Sequence, residues 1–189
     1  PREVLVERFD YNPETGDLDA LSILFLDIDG VLNGCHVQAA FGALPFPSPE
    51  RSKGFVDDAH SVDAIAVKLI NMVCNSTGSK IVLSSSWRIG YKMENILVML
   101  DTLGIDTSLV IGRTDTLYET GTDQVRGRQV DRFLKDIVTE EGRARMFKYD
   151  MLRADMKFAD KVVVNTYAII DDDDDFLDTQ KDNQQDMKA

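Results

Sequence analysis

Two aspartates stand two positions apart, directly after a short apolar run in the first part of the sequence. Residues 23–26 are all apolar and read as a buried strand, and Asp27 and Asp29 follow them. Side chains at positions i and i+2 of an extended segment point to the same side, so both carboxylates can face one pocket. Their burial is costly unless a cation or a proton compensates the charge. The pattern predicts a charged pocket at a strand end, and the ordinary alternative is a strand followed by a turn at Gly30.

Polar side chains also end two other apolar runs. The run at residues 80–83 leads into three serines, Ser84 to Ser86, and the run at residues 167–170 leads into five aspartates, Asp171 to Asp175. In an open parallel sheet, ligands bind beyond the carboxyl ends of the strands. We therefore expect the three polar strand ends to converge on one site.

The converging aspartates predict a metal site. Several carboxylates within a few ångströms repel one another unless a cation lies between them, and hard oxygen ligands select Mg²⁺. Asp172 is the first candidate for a direct ligand, Asp171 is the second, and Asp175 can assist from the following loop. Asp173 and Asp174 are expected to be exposed. The alternative for the whole run is a solvated acidic segment.

Mg²⁺ beside a carboxylate suits phosphoryl transfer. Asp27 can attack phosphorus as a nucleophile and form an aspartyl-phosphate. Asp29 can protonate the leaving oxygen and then deprotonate the water that hydrolyses the intermediate. A hydroxyl group at the second strand end and a fixed cation would hold the non-bridging phosphate oxygens.

Alternating strand and helix patterns must position these residues. Their order is typical of an α/β domain, and we expect a three-layer, Rossmann-like architecture with a central parallel sheet. Further helices are indicated around residues 96–103 and 130–137, and a short strand at residues 108–112. The first helix is predicted from an N-cap at Ser61 to a stop at Gly78. Its apolar face is expected to consist of Val62, Ile65, Leu69 and Val73.

A single domain spanning residues 1–178 accounts for the length of 189 residues and the hydrophobic content of 43%. Residues 34–58 carry three prolines and no clear periodicity, so we expect a flap over the pocket there. Residues 179–189 are polar and are expected to form a flexible tail.

The composition limits the classes of binding partner and the cellular compartment that we expect. A net charge of −12 and a pI near 4.5 argue against an extended nucleic-acid-binding surface. A phosphorylated small molecule or a nucleic-acid end remains compatible, because a divalent metal offsets charge locally. Cys35 and Cys74 form no C-x-x-C pair, which fits a reducing compartment. No long apolar run and no secretory signal pattern is evident, so we expect a cytoplasmic protein without a membrane partner.

Taken together, these motifs resemble three of the four signature motifs of the phosphatases of the haloacid dehalogenase (HAD) superfamily. The strings are D-x-D-G-V from Asp27, an apolar strand that ends in Ser84, and I-I-D-D from Ile169, in an order and spacing that extend to Asp172. The longer strings D-x-D-G-V-L-N, S-S-S-W-R and I-I-D-D-D are most similar to small, weakly capped HAD phosphatases associated with nucleic-acid repair.

This resemblance implies a nucleophile at Asp27 and a general acid and base at Asp29. It implies Mg²⁺ ligands at Asp27, at Asp172 and at the backbone carbonyl of Asp29. Ser84 would bind phosphate, and Ser85 takes that place if the strand ends one residue later. An acid at the position of Asp29 is expected of phosphatases and not of dehalogenases.

The remaining family motif is a Lys or Arg ahead of the last strand. Arg126 is the first candidate and Arg128 the second, both at the start of the third helix, whereas Lys135 lies near its end. For each of the three, the alternative is a surface charge. Arg88, just past the serines, is a candidate for contact with phosphate or the leaving group. Trp87 can stack on a base, with core packing as the alternative.

The sequence thus predicts an Mg²⁺-dependent phosphomonoester hydrolase with a minimal cap. An open site admits bulky substrates, and nucleotides or nucleic-acid ends are the favoured class. Two alternatives stay open, namely a protein phosphatase of the same chemistry and a binding module that keeps the HAD fold without turnover. A phosphopeptide preference would indicate the first alternative, and loss of turnover would indicate the second.

Overall fold

A five-stranded parallel sheet forms the centre of the domain. The computed structural model describes residues 19–33, 62–115, 125–172, 176–181 and 184–186. The strand order across the sheet is β3-β2-β1-β4-β5, and every pair is parallel. The predicted flap at residues 34–58 and the predicted assisting ligand Asp175 lie outside the described residues. The strands are β1 (Asp19–Leu26), β2 (Lys80–Leu83), β3 (Val110–Arg113), β4 (Val162–Asp171) and β5 (Gln184–Asp186).

Helices connect the strands. Two single turns of 3-10 helix, Ser86–Arg88 and Thr107–Leu109, follow β2 and precede β3. The α-helices of the described residues are α1 (Ala64–Thr77), α2 (Met93–Thr102), α3 (Arg126–Ile137), α4 (Glu140–Lys148) and α5 (Asp178–Lys181).

The alternation of side chains along β1 separates two apolar cores. Leu24 and Leu26 point to the face that packs against α1 and α2. Ile23 and Phe25 point to the opposite face, where α3 and α4 pack. Phe25 contacts Phe133 of α3 edge to face, with ring centroids 5.6 Å apart. The predicted three-layer α/β architecture with a central parallel sheet is confirmed.

Helix α1 differs from its prediction in its cap and in its buried face. Asp63 is the N-cap, because its carboxylate accepts from the backbone N–H groups of the first turn. The helix ends as expected at Gly78, whose φ of 71° favours glycine. The predicted apolar face is wrong for three of its residues: Ile65, Leu69 and Val73 are exposed, whereas Val67, Ile70 and Cys74 are buried. This helix is apolar on more than one side, so periodicity alone does not select the face that packs.

The end of the chain is more ordered than its composition indicates. Within the predicted tail of residues 179–189, residues 179–181 belong to α5, and β5 pairs with Ile169 to Asp171 of β4. Strand pairing uses backbone groups, and therefore a polar segment without an apolar face can still extend a sheet.

Gln180 connects this end of the chain to the start of α3. It is buried, its Nε2 donates to the carbonyl of Gly127 at 2.9 Å, and its Oε1 accepts from Leu177 N at 3.0 Å. A β-carbon at Gly127 would lie 2.6 Å from both Gln180 Oε1 and Leu177 N. The first turn of α3 therefore packs against residues 176–180, and there is no room for a side chain at Gly127.

We expect Gly127→Ala to destabilise the domain by about 1–3 kcal/mol, because the added methyl group overpacks this contact. The sign is opposite to the usual gain for Gly→Ala within a helix, which is roughly 1 kcal/mol. The free energy of unfolding in urea measures the effect. Lys135→Ala, on the exposed side of α3, is the control and should change stability by less than about 0.5 kcal/mol. A stabilised Gly127→Ala protein would contradict the tight contact.

Candidate active site

The site begins with Asp27, the first residue after β1. Its backbone N–H donates to Ile170 O of β4 at 3.0 Å, so the residue stays in the plane of the sheet. Its side chain is fully buried, and Oδ1 accepts from Ile28 N at 2.8 Å. A carboxylate in this position is costly without positive charge nearby.

Asp171 and Asp172 join Asp27 at the end of β4. Carboxylate oxygens of these three residues lie within 4.8 Å of one another. Gly30 makes the approach possible, because its φ is 71° and a β-carbon there would lie 2.0 Å from Asp172 Oδ2. Three convergent carboxylate oxygens are the hard ligands that Mg²⁺ prefers, so the residues present fit this ion.

Arg126, the first residue of α3, supplies positive charge to the cluster. Its Nη1 lies 2.9 Å from Asp27 Oδ2 and also donates to the carboxylate of Asp171. Burial opposes the charge, but Asp27 and Asp171 outweigh it and raise the pKa of Arg126 above its ordinary value. Arg126 is therefore charged at neutral pH.

The other two candidate cations are placed differently. Lys135 is 73% exposed on the last turns of α3 and forms an ion pair of 2.7 Å with Asp131. Arg128 is exposed, and its role in substrate binding stays a prediction. Of the three candidates, Arg126 is the one that the structure brings to the carboxylate cluster.

Asp29 is held by hydrogen bonds from three side chains. Asn33 Nδ2 and Trp87 Nε1 each donate to Oδ1 at 2.9 Å, and Ser86 Oγ donates to Oδ2 at 3.1 Å. Burial raises the pKa of Asp29 above its ordinary value, although the bonds from Asn33 and Trp87 act in the opposite direction. A raised pKa favours a carboxyl group that can give and take a proton.

Trp87 is a core residue. It is 3% exposed and packs with the apolar residues of β1, β2, α1 and α2. The option of a base stacked on its ring is therefore wrong, and core packing is correct. Its indole N–H nevertheless donates to Asp29, a contact that no sequence pattern indicates.

Two of the serines have different environments. Ser84 N donates to Leu26 O at 2.9 Å, which places Ser84 beside the residue that precedes Asp27. Ser84 Oγ is buried and has no hydrogen-bond partner among the described residues. Ser85 Oγ instead accepts from Trp87 N at 3.4 Å and caps the 3-10 turn. The Ser84 hydroxyl group is therefore not used by the described part of the fold, whereas that of Ser85 is, and phosphate binding by either residue stays a prediction.

The structure places Arg88, a predicted substrate-binding residue, inside the fold, and its contact with substrate stays a prediction. The side chain is buried, and each of its five N–H donors has an acceptor within the fold. The acceptors are Thr114 O for Nε, Ser84 O and Ser85 O for Nη1, and Asp115 O and Gln129 Oε1 for Nη2. Burial and the neighbouring Arg126 and Arg113 lower the pKa of Arg88 to about 10, so it stays charged at neutral pH.

Four further residues belong to the site region and were not assigned a role from the sequence. Asn33 orients Asp29, and Gln129 accepts from Arg88. Thr114 and Asp115 are buried at the end of β3, where Asp115 pairs with Arg132 at 3.1 Å. The only sequence signal is for Asn33, a polar residue four positions after Asp29 in an otherwise apolar stretch.

The fold and the carboxylate cluster together define a HAD-type domain. A family model described as the HAD domain in Swiss Army Knife RNA repair proteins matches residues 23–188, which is most of the chain. The chain belongs to this family, and the resemblance to HAD domains of nucleic-acid repair is confirmed. Neither a curated protein nor a solved structure matches the chain.

Membership in this family supports hydrolase chemistry of the phosphatase type and a link to nucleic acid. Among the described residues, no helix combines the length and the apolar character needed to span a bilayer.

We expect Arg88→Lys to lower the free energy of unfolding by about 2–4 kcal/mol, because lysine has three donors and leaves buried acceptors unpaired. Urea denaturation measures this loss. Arg132→Lys is the matched control, since Arg132 is partly exposed and contacts Asp115 through one nitrogen. A loss below about 1 kcal/mol for Arg88→Lys would show that the buried network is not required.

Proposed function

We propose that this domain is an Mg²⁺-dependent phosphomonoester hydrolase that works through an aspartyl-phosphate on nucleotides or nucleic-acid ends. The observation that carries the proposal is the buried Asp27, which lies within 4.8 Å of Asp171 and Asp172 and 2.9 Å from Arg126. A carboxylate so placed combines a nucleophile with the charges that a phosphoryl group requires.

Asp27 is the nucleophile of the first step. A carboxylate oxygen of Asp27 forms a bond to phosphorus while the bond from phosphorus to the leaving oxygen breaks. Asp29 gives its proton to that oxygen, which departs as an alcohol. The products of this step are the aspartyl-phosphate at Asp27 and the carboxylate form of Asp29.

Asp29 then acts as the base of the second step. It takes a proton from water as the water oxygen bonds to phosphorus, and the bond from phosphorus to Asp27 breaks. Inorganic phosphate leaves, and both aspartates return to their starting forms. The raised pKa of Asp29 suits a residue that must hold a proton in one step and accept one in the next.

The remaining residues hold the phosphoryl group. Ser84 Oγ, which is buried beside Asp27, donates to a non-bridging oxygen, and Arg126 balances the negative charge. Asp27, Asp172 and the backbone carbonyl of Asp29 would hold Mg²⁺, with Asp171 as a further candidate. Bound there, Mg²⁺ would offset the charge of the phosphate and of the carboxylates.

The substrate class rests on two observations. The family model is described by its occurrence in RNA repair proteins, which favours a nucleic-acid-related phosphomonoester. The net charge of −12 disfavours a long electrostatic track for a polynucleotide. A nucleotide or the end of a nucleic-acid strand, bound mainly through its phosphate, is consistent with both observations.

The proposal predicts Mg²⁺-dependent release of phosphate from one class in a panel of 5′- and 3′-nucleotides, phosphorylated oligonucleotide ends, phosphopeptides and sugar phosphates. Asp27→Asn should lower kcat by at least about 1,000-fold, because the amide is not a nucleophile. Chelation by EDTA should abolish turnover, and added Mg²⁺ should restore it.

The outcomes separate the alternatives. Preference for phosphopeptides would replace the nucleic-acid proposal with a protein phosphatase. Absence of turnover on every substrate, by folded protein with Mg²⁺, would indicate a binding module instead.

Ser84→Ala and Ser85→Ala should behave differently. Loss of a hydrogen bond to a charged phosphate costs about 1.5–3 kcal/mol, so Ser84→Ala should lower kcat/KM by roughly 10- to 100-fold. Ser85→Ala removes only the cap of a short 3-10 turn and should lower stability by about 1 kcal/mol, with kcat/KM nearly unchanged. Steady-state kinetics and urea denaturation of both variants provide the comparison, and the reverse pattern would assign phosphate binding to Ser85.

A further inference from the structure

The two oxygens of the Asp29 carboxylate have unequal partners. Oδ1 accepts from two nitrogens, Trp87 Nε1 and Asn33 Nδ2, both at 2.9 Å. Oδ2 accepts from one hydroxyl group, Ser86 Oγ, at 3.1 Å. The orientation of the Asn33 amide is fixed independently, because its Oδ1 accepts from Gly30 N at 2.9 Å. The amide nitrogen must therefore face Asp29.

This inequality decides which oxygen can carry a proton. An indole N–H and an amide NH₂ only donate, so a proton on Oδ1 would face two donors and displace at least one of these bonds. A hydroxyl group both donates and accepts, so Ser86 can turn and accept a proton that sits on Oδ2. The protonated form of Asp29 thus keeps all three neighbours only when Oδ2 holds the proton.

Of the two nitrogen donors, Trp87 is the one whose side chain packs in the apolar core. Its ring is 3% exposed and is packed in the core between the sheet and helices α1 and α2. Asn33 lies on the loop that also carries Asp29 and Gly30. The indole therefore connects the carboxyl group of Asp29 to the packed interior of the domain.

We propose that Trp87 is a positioning residue that fixes Asp29 so that Oδ2, and not Oδ1, delivers the proton to the leaving oxygen. The inference rests on the proposed function, in which Asp29 is the acid of the first step. In that step the O–H bond at Oδ2 breaks, a new O–H bond forms on the leaving oxygen, and the electron pair of the broken bond stays on Asp29. Trp87 contacts neither substrate nor phosphorus.

A positioning role predicts a dependence on the leaving group. An alkoxide leaves poorly and needs the proton, whereas 4-nitrophenolate leaves without it. Trp87→Phe keeps the aromatic packing and removes the N–H. The variant should lower kcat at least about tenfold for an alkyl phosphomonoester such as glycerol 2-phosphate, and less than about twofold for 4-nitrophenyl phosphate. KM should change little for either substrate.

Two further variants calibrate this result. Asp29→Asn should show the same selectivity for the leaving group with a larger loss, because the acid itself is absent. Ile96→Val, a small change in the same apolar core, should not distinguish the two substrates. Equal losses for both esters in Trp87→Phe would overturn the positioning role and leave the proposed function intact. Folded wild-type protein that releases no phosphate with Mg²⁺, either from these two esters or from the nucleotide and oligonucleotide panel, would overturn both.

The contact itself has a readout that does not depend on turnover. The chain contains a single tryptophan, so one indole N–H resonance reports on it in a ¹H–¹⁵N spectrum. Asp29→Ala should shift this resonance upfield and speed its exchange with solvent, because the carboxylate acceptor is lost. An unchanged indole signal in a folded Asp29→Ala protein would refute the bond from Trp87 to Asp29, and with it the inference.

Discussion

The hydrogen bonds of the Arg88 guanidinium are the interaction on which the geometry of the site depends. They join the ends of the neighbouring strands β2 and β3 to helix α3, which packs on the same face of the sheet. Parallel strands end with carbonyl groups that need donors, and a planar cation with five N–H groups satisfies several of them at once. These hydrogen bonds hold Ser84 and the first turn of α3 in a fixed position relative to each other. Because the guanidinium is buried, the backbone carbonyl groups and the Gln129 amide that accept from it are also held in position.

Charge balance is the second constraint at this edge of the sheet. Asp27, Asp171 and Asp172 meet because β1 and β4 are neighbours, and the topology would bring them together whatever their side chains were. Arg126 contacts two of the three carboxylates, those of Asp27 and Asp171. A cluster of three carboxylates suits a divalent cation and a dianionic phosphate together, as each compensates charge that the other introduces.

Strand ends were the part of the structure that the sequence predicted well. The apolar runs before Asp27, Ser84 and Asp171 have the length and composition of buried strands, and parallel topology then places their ends together. Arg126 was the first choice as the cation, and it is the candidate that lies in the cluster. The burial of Arg88 was not predicted, because an arginine that follows a run of serines gives the same sequence pattern whether its side chain turns outward or inward. Only the packing of α3 and β3 decides that direction, and no local pattern encodes it.

The buried contact between Gln180 and Gly127 ties the last described helix to the turn that carries Arg126. Helix α5 is one turn long and the strand after it has three residues, so neither is stable without the domain that supports it. A chain that ends before Gln180 would lack a residue that packs against the first turn of α3. The folded domain therefore extends beyond the last acidic motif, and a fragment that ends at Asp172 would keep the carboxylates and Arg126 but lose the contact that supports the first turn of α3.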